Sequence, residues 1–171
     1  MSGQVDYGLI TDAVDDGIYT TGDAPSRTDR VFKNIRVCLE SRLSEISTDI
    51  PTIQYENTEI DLSDIDKSSS GVKWIRATLL PAETQIASIG QNGRDLHTGI
   101  FQIDYFSSVN IGGFEEDMDI IANYFVKGDI LTTGTTNVRI RNTSLGVGRR
   151  DGAFFVRNID VDYFAYTPAR S

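Results

Sequence analysis

The chain offers a single histidine, His97, so the proton-transfer chemistry that most hydrolases and transferases draw from an imidazole has one candidate. His97 follows the polar turn signal Gly90 to Asp95, where a lone histidine reads as a surface residue. Serines and aspartates are plentiful, but no serine stands in a nucleophile-elbow pattern. The only cysteine, Cys38, shares a helical stripe with apolar residues and reads as a small buried hydrophobe, not as a reactive thiol.

Two acidic groups have the donor type that hard cations prefer: Asp61, Asp64 and Asp66, and then Glu115, Glu116, Asp117 and Asp119. Neither has the spacing of a calcium loop. The second group opens a helical pattern, where the helix dipole alone favours carboxylates. Gly146, Gly148 and Gly152 resemble a phosphate loop only superficially, because a phosphate cradle needs a helix directly after it and here a strand pattern follows. No catalytic, cofactor-binding or metal-ligating residue is assigned.

What stands out is the placement of charge. Arg139, Arg141, Arg149, Arg150 and Arg157 concentrate in the last stretch of an otherwise acidic chain. Set against Glu115 and Glu116 at the helix start, they form a basic and an acidic patch of the kind that pairs head to tail between subunits. The same arginines also fit a merely solvated strand face, and both readings stand.

With 25 acidic and 16 basic side chains the formal charge is -9, which repels a phosphate backbone and lacks the basic footprint of nucleic-acid readers. A lone cysteine gives no intrachain disulfide, which fits folding in a cytoplasm. Residues 1–19 lack a basic start followed by an apolar run, and no stretch approaches the ~20 apolar residues that cross a bilayer.

The elements follow from periodicity. Residues 1–27 hold Asp6, Asp12, Asp15, Asp16 and Asp23 against Arg27 alone, together with Val5, Tyr7, Leu9, Ile10, Ile18 and Tyr19. They read as an N-terminal arm that either docks on a neighbour or stays solvated. Residues 28–171 form one domain. Val31, Phe32, Ile35, Cys38, Leu39, Leu43 and Ile46 recur at three- and four-residue steps, predicting a helix capped by Ser26 with Asp29, or by Thr28, and stopped before Pro51. Strands are expected at Thr52–Thr58 and, after a loop over 61–71, at Val72–Leu80 with the only tryptophan, Trp74. Pro81 marks a break or an edge. Glu83–Ile89 and Thr98–Val109 complete an expected three-strand meander. Gly112 and Gly113 precede a second helix bearing Phe114, Met118, Ile121, Ala122 and Phe125, with Gly128 as its C-cap. Thr136–Leu145 and Ala153–Thr167 close the chain as a hairpin joined across Gly146 to Gly152. The fold class is therefore α+β, with two helices on one largely antiparallel sheet.

Local text adds a resemblance. Lys73-Trp74-Ile75-Arg76 opens a strand, Gly93-Arg94 precedes Thr98-Gly99-Ile100-Phe101-Gln102-Ile103-Asp104, and Gly112-Gly113 leads to a helix ending Ile120-Ile121-Ala122-Asn123-Tyr124-Phe125. In this order, over roughly residues 28–166, the chain resembles the tail terminator or tail completion proteins of long-tailed phages. The resemblance implies a non-enzymatic virion protein without cofactor, assembled in the host cytoplasm into a homohexameric ring at the head-proximal end of the tail. Its implied partners are other copies of itself, the tail tube protein and a neck or head-completion protein, with DNA passing through the lumen without specific binding and no membrane involved. Residues 1–27 depart from the compact family pattern. Two alternatives stay open: a neck or head-completion ring, and a small enzymatic or ligand-binding α+β domain with a convergent polar pocket.

Overall fold

The computed structural model describes residues 30–48, 52–59, 72–89, 93–108 and 114–168. The expected arm, the cap residues Ser26, Thr28 and Asp29, the acidic loop with Asp61, Asp64 and Asp66, and the Gly112-Gly113 boundary lie outside them. Helix α1 covers Val31–Ser44 and continues into a 3-10 turn at Glu45–Thr48. Helix α2 covers Phe114–Asn123. The strands are β1 Ile53–Gln54, β2 Lys73–Pro81, β3 Gln85–Ser88, β4 Arg94–Ser108, β5 Ile130–Thr133, β6 Thr136–Leu145, β7 Arg149–Asp151 and β8 Phe154–Pro168.

Two fifteen-residue strands, β4 and β8, form the axis of the sheet and pair antiparallel along their whole length, from Arg94 opposite Pro168 to Ser108 opposite Phe154. At the usual rise this axis is about 45–50 Å long. Each flank of it is a lane of two collinear pieces. On one side β2 pairs with β4 over Gly99 to Ser107, and β3 continues the lane over Arg94 to Leu96. On the other side β6 pairs with β8 over Ile159 to Ala165, and β7 continues over Phe154 to Val156. The expected three-strand meander is therefore corrected: at Pro81 to Thr84 the chain breaks without reversing, and both halves of the lane pair with β4. Pro81 does stand at an edge, since β1 reaches only Ile75 and Arg76 on β2. The sheet order is β1-β2-β4-β8-β6-β5, antiparallel apart from the β1–β2 pair.

Alternation on the axis strands explains why the core sits on one face. Phe101, Ile103 and Tyr105 of β4, Ile159, Val161, Tyr163 and Ala165 of β8, Ile75, Ala77 and Leu79 of β2, and Val138 and Ile140 of β6 are all buried on that face. The α1 stripe of Val31, Ile35, Cys38, Leu39 and Leu43, and Phe114, Met118 and Ile121 of α2, close over it. Burial raises the Cys38 thiol above its ordinary range, as expected of an inert core residue. Phe32, expected on the same stripe, is 44% exposed and stands edge-on to His97 at 5.6 Å.

Polar ties fix both helices. Asp117 on α2 accepts from Lys73 Nζ at 2.6 Å and from the Tyr105 hydroxyl, while Asn34 on α1 donates to Thr136 Oγ1 at 3.2 Å. Helix α2 stops at Asn123, sooner than expected. Gly128, at φ +97°, serves in the next turn, where its N–H donates to Ile140 O at 2.9 Å. At Gly99 a side chain is excluded, because Tyr163 lies across it and a Cβ would sit 2.5 Å from the phenol oxygen and 2.6 Å from Leu80 O.

Candidate assembly surface

Among the described residues no helix covers the second face of the sheet, and its character changes along the axis. At the Ser108 end lies a small apolar cluster, with Trp74 stacked on Phe106 at 3.8 Å, Phe154 edge-on to Phe106 at 6.5 Å, and Val156 beside them. The middle is polar. Asp104, with only 3% of its side chain exposed, accepts from Arg76 Nη2 at 2.6 Å and from Gln102 Nε2 at 2.8 Å. Asn158 donates likewise to Asp160 at 2.9 Å, and Asp162 follows on the same side of β8. Toward the Arg94 end, Phe164 and Tyr166 stand edge to face at 5.8 Å in a groove of about 300 Å³. Arg94, from β4, and Arg139, from β6, also line that groove.

The two ends of the axis carry different exposed groups. Beyond Arg94, the β3–β4 hairpin exposes Ile86 and Ile89, at 74% and 96%. Near Phe154, Val147 is 89% exposed, and Arg149 and Arg150 project from β7, where Gly152 at φ +58° opens a two-residue turn into β8.

The arginines expected as one basic patch are spread along this length. Arg139 is opposite Phe164, Arg141 occupies the bulge where the register slips between Ile140 and Asn142, and Arg149 and Arg150 lie opposite Val156 and Phe155. All four are exposed, and none has a carboxylate within 4.0 Å among the described residues. Arg157 turns toward the helices, donates to Gly146 O at 2.8 Å and lies 5.8 Å from the Phe114 ring. Glu115 and Glu116 are exposed on the first turn of α2. That turn is fastened to β2 and β4 through Asp117 and to β8 through Phe114, edge-on to Phe155 at 4.8 Å, so β7, whose Arg150 is opposite Phe155, is the next strand beyond it. Asp117 itself is spent on the fold.

His97 is the clearest departure from expectation. It is 7% exposed within β4, not on a surface loop, and its Nδ1 and Nε2 meet the Thr84 and Thr167 hydroxyls at 3.1 and 2.9 Å. These contacts fasten the junction of β2 and β3 to β8. Among the described residues, no group of three or more His, Cys, Asp or Glu side chains is placed to hold a metal ion.

Sequence reading missed Arg94, Phe164 and Tyr166 as surface features. The available signal was parity, since Phe164 and Tyr166 alternate with the buried Tyr163 and Ala165 and so must face away from the core.

A solved structure that carries no functional name is 21% identical and superposes with a TM-score of 0.61 over 80% of this chain and 96% of that chain, which establishes the fold. No curated protein shows significant similarity. The model of the phage tail terminator protein family matches residues 34–163, spanning most of α1, all of α2 and β4, and most of β8, and the chain therefore belongs to the phage tail terminator proteins, non-enzymatic structural components of the virion tail.

Proposed function

We propose that this protein caps the tail tube as a closed homohexameric ring at the head-proximal end, stops further addition of tube protein, and offers its free side to a neck or head-completion protein. DNA passes through the lumen without specific contacts. Family membership supports the engagement with the tube. The closed ring is supported by one observation above all: exposed acidic and basic groups sit on different lanes of the same subunit. Glu115 and Glu116 are carried on the α2 turn over β2, β4 and β8, while Arg141, Arg149 and Arg150 stand on the β6–β7 lane without carboxylate partners among the described residues. A surface complementary to another part of the same molecule makes a head-to-tail contact, and such contacts generate rings when the rotation closes.

Light scattering coupled to size exclusion, at two or more concentrations, tests this directly. The expected species has six times the 18.9 kDa subunit mass and appears as a ring by negative stain. The charge-reversed variant Arg149→Glu/Arg150→Glu should lose the ring and the ability to arrest tube growth, and Glu115→Arg/Glu116→Arg in the same chain should restore both. A strict monomer that still arrests tube growth would mean that the ring forms only on the tube. A strict monomer with no effect on growth overturns the proposal.

A further inference from the structure

The groove of Arg94, Arg139, Phe164 and Tyr166 lies apart from Glu115, Glu116, Arg149 and Arg150, the charged groups of the proposed ring contact. Two guanidinium groups flank two aromatic rings on an open sheet face, and Tyr166 is 46% exposed. Guanidinium forks match carboxylates, and exposed ring faces take apolar or aromatic side chains. The fitting ligand is an acidic peptide interleaved with apolar residues.

Residues 1–27 have that composition, with Asp6, Asp12, Asp15, Asp16 and Asp23 set among Tyr7, Leu9, Ile10, Ile18 and Tyr19, and only Arg27 as a basic residue. They also join the domain in the right place. Asn34, in the first turn of α1, bonds Thr136, whose neighbours Thr135 and Asn137 line the groove. Phe32 meets His97, whose ring in turn meets Thr167, a further lining residue. The groove lies on the other face of the same end of the sheet as the start of α1. Residues 59–66 are acidic as well, but they follow β1, at the edge of the sheet order farthest from β6 and β5, whereas Arg139 is on β6. We infer that the N-terminal segment 1–27 packs in the Arg94–Arg139 groove of its own subunit, with its carboxylates on the two arginines and its apolar side chains on Phe164 and Tyr166. The covalent link makes the contact intramolecular and raises its effective concentration, so modest contacts suffice.

Carbodiimide coupling in the full chain tests this. The variant Arg94→Lys/Arg139→Lys keeps both charges and supplies amines that the carboxylates of residues 6–23 should reach. The expected product has monomer mass, with peptides from 1–27 joined to peptides bearing positions 94 or 139, and its yield falls several-fold in high salt. Hydrogen exchange on the unmodified protein gives a second readout. Amides within 5–19 should exchange about tenfold or more below their intrinsic rates. That protection should vanish in Arg94→Glu/Arg139→Glu while the amides of Ile103 and Val161 stay slow, which shows that the variant is folded. Cross-links found only at dimer mass, cross-links from Asp61, Asp64 or Asp66 in place of the arm, or unprotected arm amides in the unmodified protein would each overturn the inference. So would a short duplex DNA that binds at Arg94 and Arg139 while the arm amides remain unprotected.

Discussion

On the helix-covered face, alternate residues of β4 and β8 form a continuous apolar layer from Phe101 to Tyr105 and from Ile159 to Ala165, whereas the opposite face of the same strands passes from aromatic stack to polar ladder to arginine groove. One backbone thus carries two different designs. The covered face must match helices from distant parts of the chain, so shape and burial constrain every side chain on it. Among the described residues the open face meets no helix, which leaves its charges and rings to other contacts. Specificity for partners is expected there and along the sheet edges, while the covered face decides whether the chain folds at all.

The strongest way to break this contrast is to truncate matched positions on adjacent strands. Ile103→Ala, at a side chain with no exposure in the main core cluster, should cost about 2–5 kcal/mol in urea unfolding. Thr78→Ala, on the open face opposite Gln102, should stay within about 0.5 kcal/mol. Comparable costs at the two sites would mean that the open face is packed like a core and that the division is wrong.

A smaller effect sharpens the picture of the open face. Arg76→Ala leaves the nearly buried Asp104 with Gln102 as its remaining partner and should cost about 1–3 kcal/mol, much of it the unmet demand of the carboxylate. Arg76→Leu/Asp104→Leu removes both partners and should recover most of the loss. Thermal unfolding of the single and double variants decides whether the ladder stabilises the fold or only fills an otherwise exposed surface.

Much of the covered face was legible in the sequence because its signals are local and long. The α1 stripe, the alternation of β8 and the α2 pattern each run for ten residues or more. What escaped reading depends on short or non-local events. Strand β5 has four residues between Asp129 and Gly134, too few to show a period. Strand β1 shrank to Ile53–Gln54 because the chain turns at Asn57, with φ +64°. His97 reads as a surface residue beside a turn because β4 begins at Arg94, inside the polar stretch that signals a loop. The candidate site was legible only as a set of charged residues. Their distribution depends on the Arg141 bulge and on β7 taking over the lane of β6, and neither leaves a mark on residue spacing.

The covered face contains one imperfection that can be titrated. The Tyr163 hydroxyl is buried against Gly99 and has no hydrogen-bond partner among the described residues, and burial pushes its pKa up to about 12. An unfolded tyrosine ionises near 10, so the fold holds this proton more tightly than the open chain does. The resulting stability is complete below pH 10 and is lost as pH rises from 10 to 12, at no more than about 1.4 kcal/mol per pH unit for one group. Tyr105, also buried and bonded to Asp117, is shifted in the same direction and extends the loss to higher pH. Tyr163→Phe should therefore change stability at pH 7 by less than about 1 kcal/mol, with neutral or stabilising sign, because it removes an unsatisfied hydroxyl and leaves the ring over Gly99. Between pH 10 and 12, its urea midpoint should fall less steeply than that of the unaltered chain. An equally steep fall in both proteins would show that Tyr105 alone carries the alkaline sensitivity of the core.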